Sequence, residues 1–91
     1  MNLNVKIKID SRVFAQEVDS EMVLFNSDSE NYFGLDEVGT TIWNQINNSN
    51  DLQVVFNNML KKYDVDKSIL EKDLMMFIEK LKNSGLVEVV E

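Results

Sequence analysis

Few side chains in this sequence are of types that could carry out chemistry. The chain has no Cys and no His, which removes thiol nucleophiles, zinc sites of the usual kind and the commonest general base. Asp64 and Asp66 could form an acid–base pair, but their position before a predicted helix favours a turn and a helix cap. The run SDSEN (27–31) lacks the ligand spacing and the glycine of a calcium loop. A metal site made of carboxylates alone stays open at this stage. We nevertheless predict a protein that is not an enzyme and has no catalytic residue, metal or cofactor.

The net charge of the chain limits the classes of partner that it can bind. Nine basic and sixteen acidic residues give a net charge of −7, and such a field disfavours nucleic acid and anionic membrane surfaces. No apolar run approaches the roughly 20 residues that span a bilayer. The N-terminus alternates apolar and polar residues, unlike a signal peptide. We expect a cytoplasmic protein without nucleic-acid or membrane partners.

The hydrophobic pattern predicts strands first and helices afterwards. Alternating apolar residues and short polar loops are typical of an antiparallel meander, and the predicted strands are 13–18, 22–26 and 31–35. From Asp36 the apolar period becomes helical, and the predicted helices are 37–47, 51–63 and 67–83. Asp36 and Asp66 are suited to begin helices, and Gly85 is suited to end one.

The whole chain, 1–91, is predicted to be one domain. Residues 1–12 carry an additional strand pattern, in which Leu3–Ile9 alternates, and the run 86–90 is expected to pair with it. The predicted core consists of Trp43, Ile46, Phe56, Leu60, Leu74, Phe77 and Leu81, with Leu24 and Leu35.

Two features indicate a binding surface. In a meander, the strand 31–35 is an edge whose free N–H and C=O groups can accept a peptide as an extra strand. The third helix carries apolar side chains outside its core face, with Ile69 and Met76 on one flank and Met75 on the other. Because Met adapts to varied apolar partners, this helix can form one wall of a peptide groove. From these residues alone, loose core packing or a dimer surface is an equal alternative.

Longer motifs add a resemblance. YFGLDEVGTTIW (32–43), KKYDVD (61–66) and DLMMFIEKLKNSGLV (73–87), in a match over roughly 13–90, resemble the PqqD-like family. Departures are Asp36 in place of the usual Asn and the Asn-rich run 44–51. The strand pattern at Leu3–Ile9 precedes the family pattern.

The resemblance implies a winged-helix-like α+β fold, with a three-stranded antiparallel sheet followed by three helices. Its implied role is non-catalytic: it binds the leader of a ribosomally made precursor peptide and delivers it to a maturation enzyme. That enzyme is a radical iron–sulfur enzyme or a leader peptidase, and lasso-peptide and radical-enzyme systems fit equally well. Little side-chain bulk at Gly34 and Gly39 suits a leader that lies along the edge strand.

The peptide-binding residues are predicted on the edge strand and on the third helix. They are Asn31, Tyr32, Phe33, Gly34, Leu35, Ile69, Lys72, Asp73, Met76 and Lys80. The opposite helix flank is the alternative, with Glu71, Met75 and Lys82. Phe33→Pro is expected to weaken binding by removing a strand donor.

Two other functions remain open at this stage. One is a winged helix that binds nucleic acid, which the charge disfavours. The other is a structural subunit that forms a homodimer through Leu3–Ile9.

Overall fold

Two antiparallel sheets and three helices make up the fold in the computed structural model, which describes residues 2–91. In chain order the elements are β1 (Lys6–Ile9), β2 (Val13–Val18), β3 (Glu21–Asn26), β4 (Tyr32–Leu35), α1 (Glu37–Asn48), α2 (Leu52–Lys62), α3 (Lys67–Asn83) and β5 (Val87–Val90). The predicted α+β fold is confirmed, and the boundaries of the three meander strands and the three helices move by at most one residue. The N-terminal strand is shorter than the predicted pattern Leu3–Ile9, because β1 begins at Lys6. Asn31, predicted within a strand, lies just before β4.

The larger sheet is the predicted meander, with strand order β2-β3-β4. Its register pairs Leu24 with Phe33 and Met22 with Leu35. Leu24, Met22 and Leu35 are buried, whereas Val23 between them is exposed. One face of the sheet therefore covers the core, and β4 is an edge strand as predicted.

Each helix begins at an aspartate, as Ncap preferences require. The carboxylate of Asp36 accepts a hydrogen bond from Gly39 N–H at 2.8 Å, and that of Asp51 accepts from Gln53 N–H at 2.9 Å. Asp66 caps α3, and Gly85 follows its end with φ +74°, a left-handed conformation that glycine adopts without strain. The predicted caps at Asp36 and Asp66 and the predicted helix end at Gly85 are confirmed.

The second sheet joins the two ends of the described chain. β1 pairs with β5 in antiparallel register from Lys6↔Val90 to Ile9↔Val87, which confirms the predicted pairing. Leu3, Val5 and Ile7 are buried in the same hydrophobic cluster as the helices. The N-terminal segment therefore contributes to the core of its own chain.

Seven of the nine predicted core residues are buried, and the core contains further residues that were not predicted. Trp43, Ile46 and Phe56 are buried, with Trp43 only 2% exposed. Leu60 and Phe77 are only half-buried and pack against the cluster from its margin. Phe77 also lines the groove that is described in the next subsection.

The buried polar side chain of Asn26 fixes the loop between β3 and β4. Its Oδ1 accepts hydrogen bonds from the N–H groups of Asp28 and Ser29, and its Nδ2 donates to Gly85 C=O at 3.1 Å. The loop SDSEN is thus an ordered turn held against the end of α3. No helix within residues 2–91 has the length and apolar character needed to cross a membrane.

Candidate functional site

The hydrogen bonds of the meander determine which backbone groups of β4 face outward. Asn26 N–H donates to Asn31 C=O at 3.1 Å. Residue pairs in an antiparallel ladder alternate between hydrogen-bonded and non-bonded. The N–H and C=O of Phe33 therefore point toward β3, and those of Tyr32 and Gly34 point toward the open edge.

A second hydrogen bond gives the same result from the other side of the sheet. Ser27 N–H donates to Arg12 C=O at 2.9 Å, and two residues further along the ladder Phe14 pairs with Phe25. The backbone groups of Phe25 therefore point toward β2. Its partner on β4, Tyr32, is left with outward-facing groups.

A groove of about 440 Å³ runs beside this open edge, and we call it the β4–α3 groove. Its volume is within the usual range for ligand sites. Most of its lining is apolar, and its charged side chains are Asp36, Asp73 and Lys80. The lining residues are Phe33, Gly34, Leu35, Asp36, Val38, Gly39, Ile42, Met59, Tyr63, Val65, Ile69, Leu70, Asp73, Leu74, Phe77 and Lys80.

Gly39 allows the inner wall of this groove to form. A Cβ on Gly39 would lie 3.3 Å from Phe77 Cε1 and 3.3 Å from the capping Oδ1 of Asp36. The first turn of α1 is therefore packed closely against α3 and against its own cap. Gly39 serves packing as well as access, which extends the role predicted from the sequence.

The α3 side of the groove opens with an exposed apolar side chain, Ile69, which is 59% exposed. The cap at Asp66 positions the first turn of α3, because its Oδ1 accepts from Ser68 N–H at 2.9 Å and from Ile69 N–H at 3.2 Å. Together with the hydroxyl of Ser68, which contributes most, these donors lower the pKa of Asp66.

The predicted site residues divide into two groups. Those that line the groove are Phe33, Gly34, Leu35, Ile69, Asp73 and Lys80. Those that lie outside its lining are Asn31, Tyr32, Lys72 and Met76. Met76 is 52% exposed and is not among the residues that line the groove.

The alternative flank of α3 lies away from the groove. Glu71, Met75 and Lys82 are absent from its lining, and Met75 packs against the core cluster. The groove thus borders the flank that was preferred from the sequence, although Met76 does not contribute to it.

Several groove residues were not predicted. Val38 follows the cap of α1, and Tyr63 and Val65 belong to the segment between α2 and α3. Val38 and Val65 are 46% and 47% exposed, and the apolar pattern of the sequence does not mark them as groove residues.

The opposite face of the meander, which we call the outer face, carries an aromatic row that was also not predicted. Phe14, Phe25 and Tyr32 are paired across the three strands, and the rings of Phe25 and Tyr32 lie 4.8 Å apart. Phe14 is 63% and Tyr32 73% exposed. Beside this row, Gly34 pairs with Val23 and has nothing within 4 Å of the position of a Cβ.

Three charged groups outside the groove form a local cluster. Arg12 donates to both carboxylate oxygens of Asp10 at 2.9 Å and lies 3.0 Å from Asp28. The side-chain hydrogen bonds from Arg12 hold the pKa of Asp10 well below its usual range. Residues 2–91 contain no group of three or more acidic, His or Cys side chains arranged to hold a metal ion.

Comparison with known proteins gives one family and two similar structures. The family described as coenzyme PQQ synthesis protein D (PqqD) matches residues 21–87. A solved structure described as TbiB1 in complex with the TbiA(beta) leader peptide is 33% identical, with TM-score 0.85, over 89% of this chain and 94% of that one. Another, lasso peptide synthetase B1 complexed with the leader peptide, is 19% identical, with TM-score 0.82, over 91% and 98%. No curated protein matches the sequence.

Proposed function

This chain belongs to the PqqD family, and we propose that it binds the leader segment of a ribosomally made precursor peptide without catalysing its modification. In this proposal the leader adds to the open edge of β4 as a fourth strand of the meander. Its inward side chains enter the β4–α3 groove. The bound precursor is then delivered to a maturation enzyme, either a leader peptidase or a radical iron–sulfur enzyme.

One observation carries the proposal: an unpaired strand edge lies directly beside an apolar groove. Tyr32 and Gly34 direct their backbone groups outward, and Phe33 and Leu35 line the groove. Strand addition uses main-chain hydrogen bonds for affinity and pockets for alternate side chains for specificity. Both requirements are met on one side of the sheet.

The similar structures support binding of a leader peptide. At 33% identity, the neighbour TbiB1 is described in complex with a leader peptide. The second neighbour, at 19% identity, supports the shared fold. We extend the proposal to residues 1–91 acting as one recognition domain, because β1 is paired with β5 and buried in the common core.

The other two functions considered from the sequence are less well supported. The net charge of −7 opposes a phosphate-tracking surface. Dimerisation through Leu3–Ile9 would need an apolar face, yet Leu3, Val5 and Ile7 are at most 7% exposed within their own chain. A homodimer through that segment would first have to open the core.

Amide hydrogen exchange tests the proposal at the level of single residues. The probes are peptides selected on the wild-type chain from a random library of peptides about 10 residues long, which span about 33 Å when extended. Binding should slow exchange of the Tyr32 and Gly34 amides, because these point outward from β4. The corresponding outward amides of the other edge, Ala15 and Glu17 on β2, should be unchanged. Protection on β2 alone, or on neither edge, would overturn strand addition to β4.

A proline at the edge provides the matched mutation. Tyr32→Pro replaces the Phe33→Pro test that was derived from the sequence. The N–H of Phe33 points toward β3, so a proline at that position would damage the sheet. Tyr32→Pro removes an outward donor at the first position of a strand, where proline is tolerated. It should abolish binding of the selected peptides, whereas Tyr32→Ala keeps the N–H and should retain most of it. Equal loss in both variants would assign the effect to the ring instead of the edge.

A further inference from the structure

The outer face of the meander has a gap beside its open edge. On β4, Tyr32 and Gly34 point to this face, opposite Phe25 and Val23 of β3. Tyr32 covers Phe25, with ring centroids 4.8 Å apart. Gly34 offers no side chain to cover Val23, which is 41% exposed.

The gap is not required by the fold. A Cβ on Gly34 would meet nothing within 4 Å, and the backbone there is not in the left-handed region. Glycine also weakens a strand interior relative to residues with side chains. Gly34 therefore differs from Gly39, whose missing side chain is needed for close packing.

We propose that the outward side of Gly34 forms a subsite for an aromatic side chain of the peptide strand. This subsite lies on the outer face, opposite the β4–α3 groove that the backbone of Gly34 also borders. This inference rests on the proposed strand addition to β4. The peptide residue paired with Gly34 points to the same face as Gly34, because paired residues share a face of the sheet. Its side chain therefore lies over the gap.

The geometry of the sheet selects a long, flat side chain for this position. Neighbouring strands are about 4.8 Å apart, so the added strand lies about 9.6 Å from β3. A short side chain would stop above Gly34, whereas an aromatic ring lying across it reaches Val23. Tyr32 is the diagonal neighbour on the same face, within reach of an aromatic ring. Covering of a glycine by a cross-strand aromatic residue is a known way to stabilise sheet edges.

The subsite would give the protein a second source of specificity. Side chains of the added strand alternate between the two faces of the sheet. One set of peptide side chains therefore contacts the β4–α3 groove, and the other set contacts the outer face. The aromatic row of Phe14, Phe25 and Tyr32 thereby gains an aromatic neighbour in the adjacent row, diagonal to Tyr32, when the peptide binds.

A double-mutant comparison tests the subsite with the selected peptides. The selected peptides should carry an aromatic residue opposite Gly34, and its absence from them would refute the subsite. Replacing this aromatic residue by Ala should weaken binding to the wild-type chain about tenfold, as for an aromatic contact with added area burial. In Gly34→Val the new side chain fills the gap, so the aromatic and Ala peptides should bind equally. Gly34→Val should remain folded because its Cβ enters open space, and circular dichroism checks this.

A spectroscopic signal identifies where the ring lies. An aromatic ring over Gly34 should shift the methyl resonances of Val23, and the Ala peptide should abolish that shift. If the Tyr32 and Gly34 amides are protected but Val23 is unaffected and the aromatic-to-Ala loss persists in Gly34→Val, the subsite is refuted while strand addition stands. If those amides are not protected by any selected peptide, the proposed function itself fails.

Discussion

The substitution Ile69→Asp gives the most direct test of the β4–α3 groove. Ile69 lines the groove and is 59% exposed in the free protein. Burying an Ile side chain completely is worth about 1.5–3 kcal/mol. Covering the exposed part with a peptide is therefore worth about 1–2 kcal/mol.

The aspartate adds a second loss. A carboxylate that loses water on binding without a partner costs about 1–3 kcal/mol more. The sum of at least about 2 kcal/mol corresponds to a loss of affinity of about 30-fold or more. The fold should persist, because an acidic residue in the first turn of a helix is favourable.

Met76→Asp is the matched control for this prediction. Met76 lies on the same helix and is 52% exposed, but it does not line the groove. Met76→Asp introduces the same charge as Ile69→Asp. Its affinity for the selected peptides should stay within about twofold of wild type, a change below 0.5 kcal/mol. Fluorescence anisotropy with labelled selected peptides measures both variants. Equal losses would point to long-range charge repulsion, and no loss in either variant would remove α3 from the site.

Three further predictions concern stability and pH. Trp43→Ala should lower the free energy of unfolding by about 3–5 kcal/mol. Trp43→Phe should lower it clearly less, since Trp43 Nε1 is buried without a hydrogen-bond partner. Urea unfolding followed by circular dichroism measures both variants, and equal losses would contradict this account. Ile7 is 1% exposed, so Ile7→Ala should lower the free energy of unfolding by about 2–5 kcal/mol. Lys8 is exposed, and Lys8→Ala should leave stability nearly unchanged in the same assay. A neutral Ile7→Ala would mean that the fold does not depend on β1. The pKa of Asp66 is lowered in the fold. The stabilisation by its carboxylate is therefore present above the ordinary aspartate pKa of about 3.9 and is lost as pH falls through the lower folded value. Asp66→Asn keeps a capping side chain without the charge, so its thermal midpoint should fall less in acid than that of wild type, and parallel acid profiles would rule out this role.

The sequence predicted the elements well because local signals agree with the tertiary structure. The apolar period changes at Asp36, and the aspartate caps mark the beginnings of the helices. The pairing of the N-terminal strand with the run 86–90 was predicted correctly, since its alternation needs a sheet to bury one face. The strand itself begins at Lys6 instead of Leu3.

The site was harder to predict because it depends on how elements pack. Angles around an isolated helix place Met76 near Ile69, but the curvature and tilt of α3 against β4 decide which side chains enter the groove. Val38 and Val65 come from loops and first turns whose positions no periodicity specifies. The aromatic row depends on the register of three strands, and a shift by one residue would have dispersed it.

The pairing of β1 with β5 has a consequence for the order of folding. It joins Lys6 to Val90, residues at almost opposite ends of the chain, so its closure carries the largest loop entropy in the molecule. The meander and the helices consist of more local contacts, which form earlier in a typical folding transition state. Destabilising changes in β1 should therefore accelerate unfolding and leave the folding rate nearly unchanged. We therefore expect the β1–β5 pairing to be the last part of the fold to form.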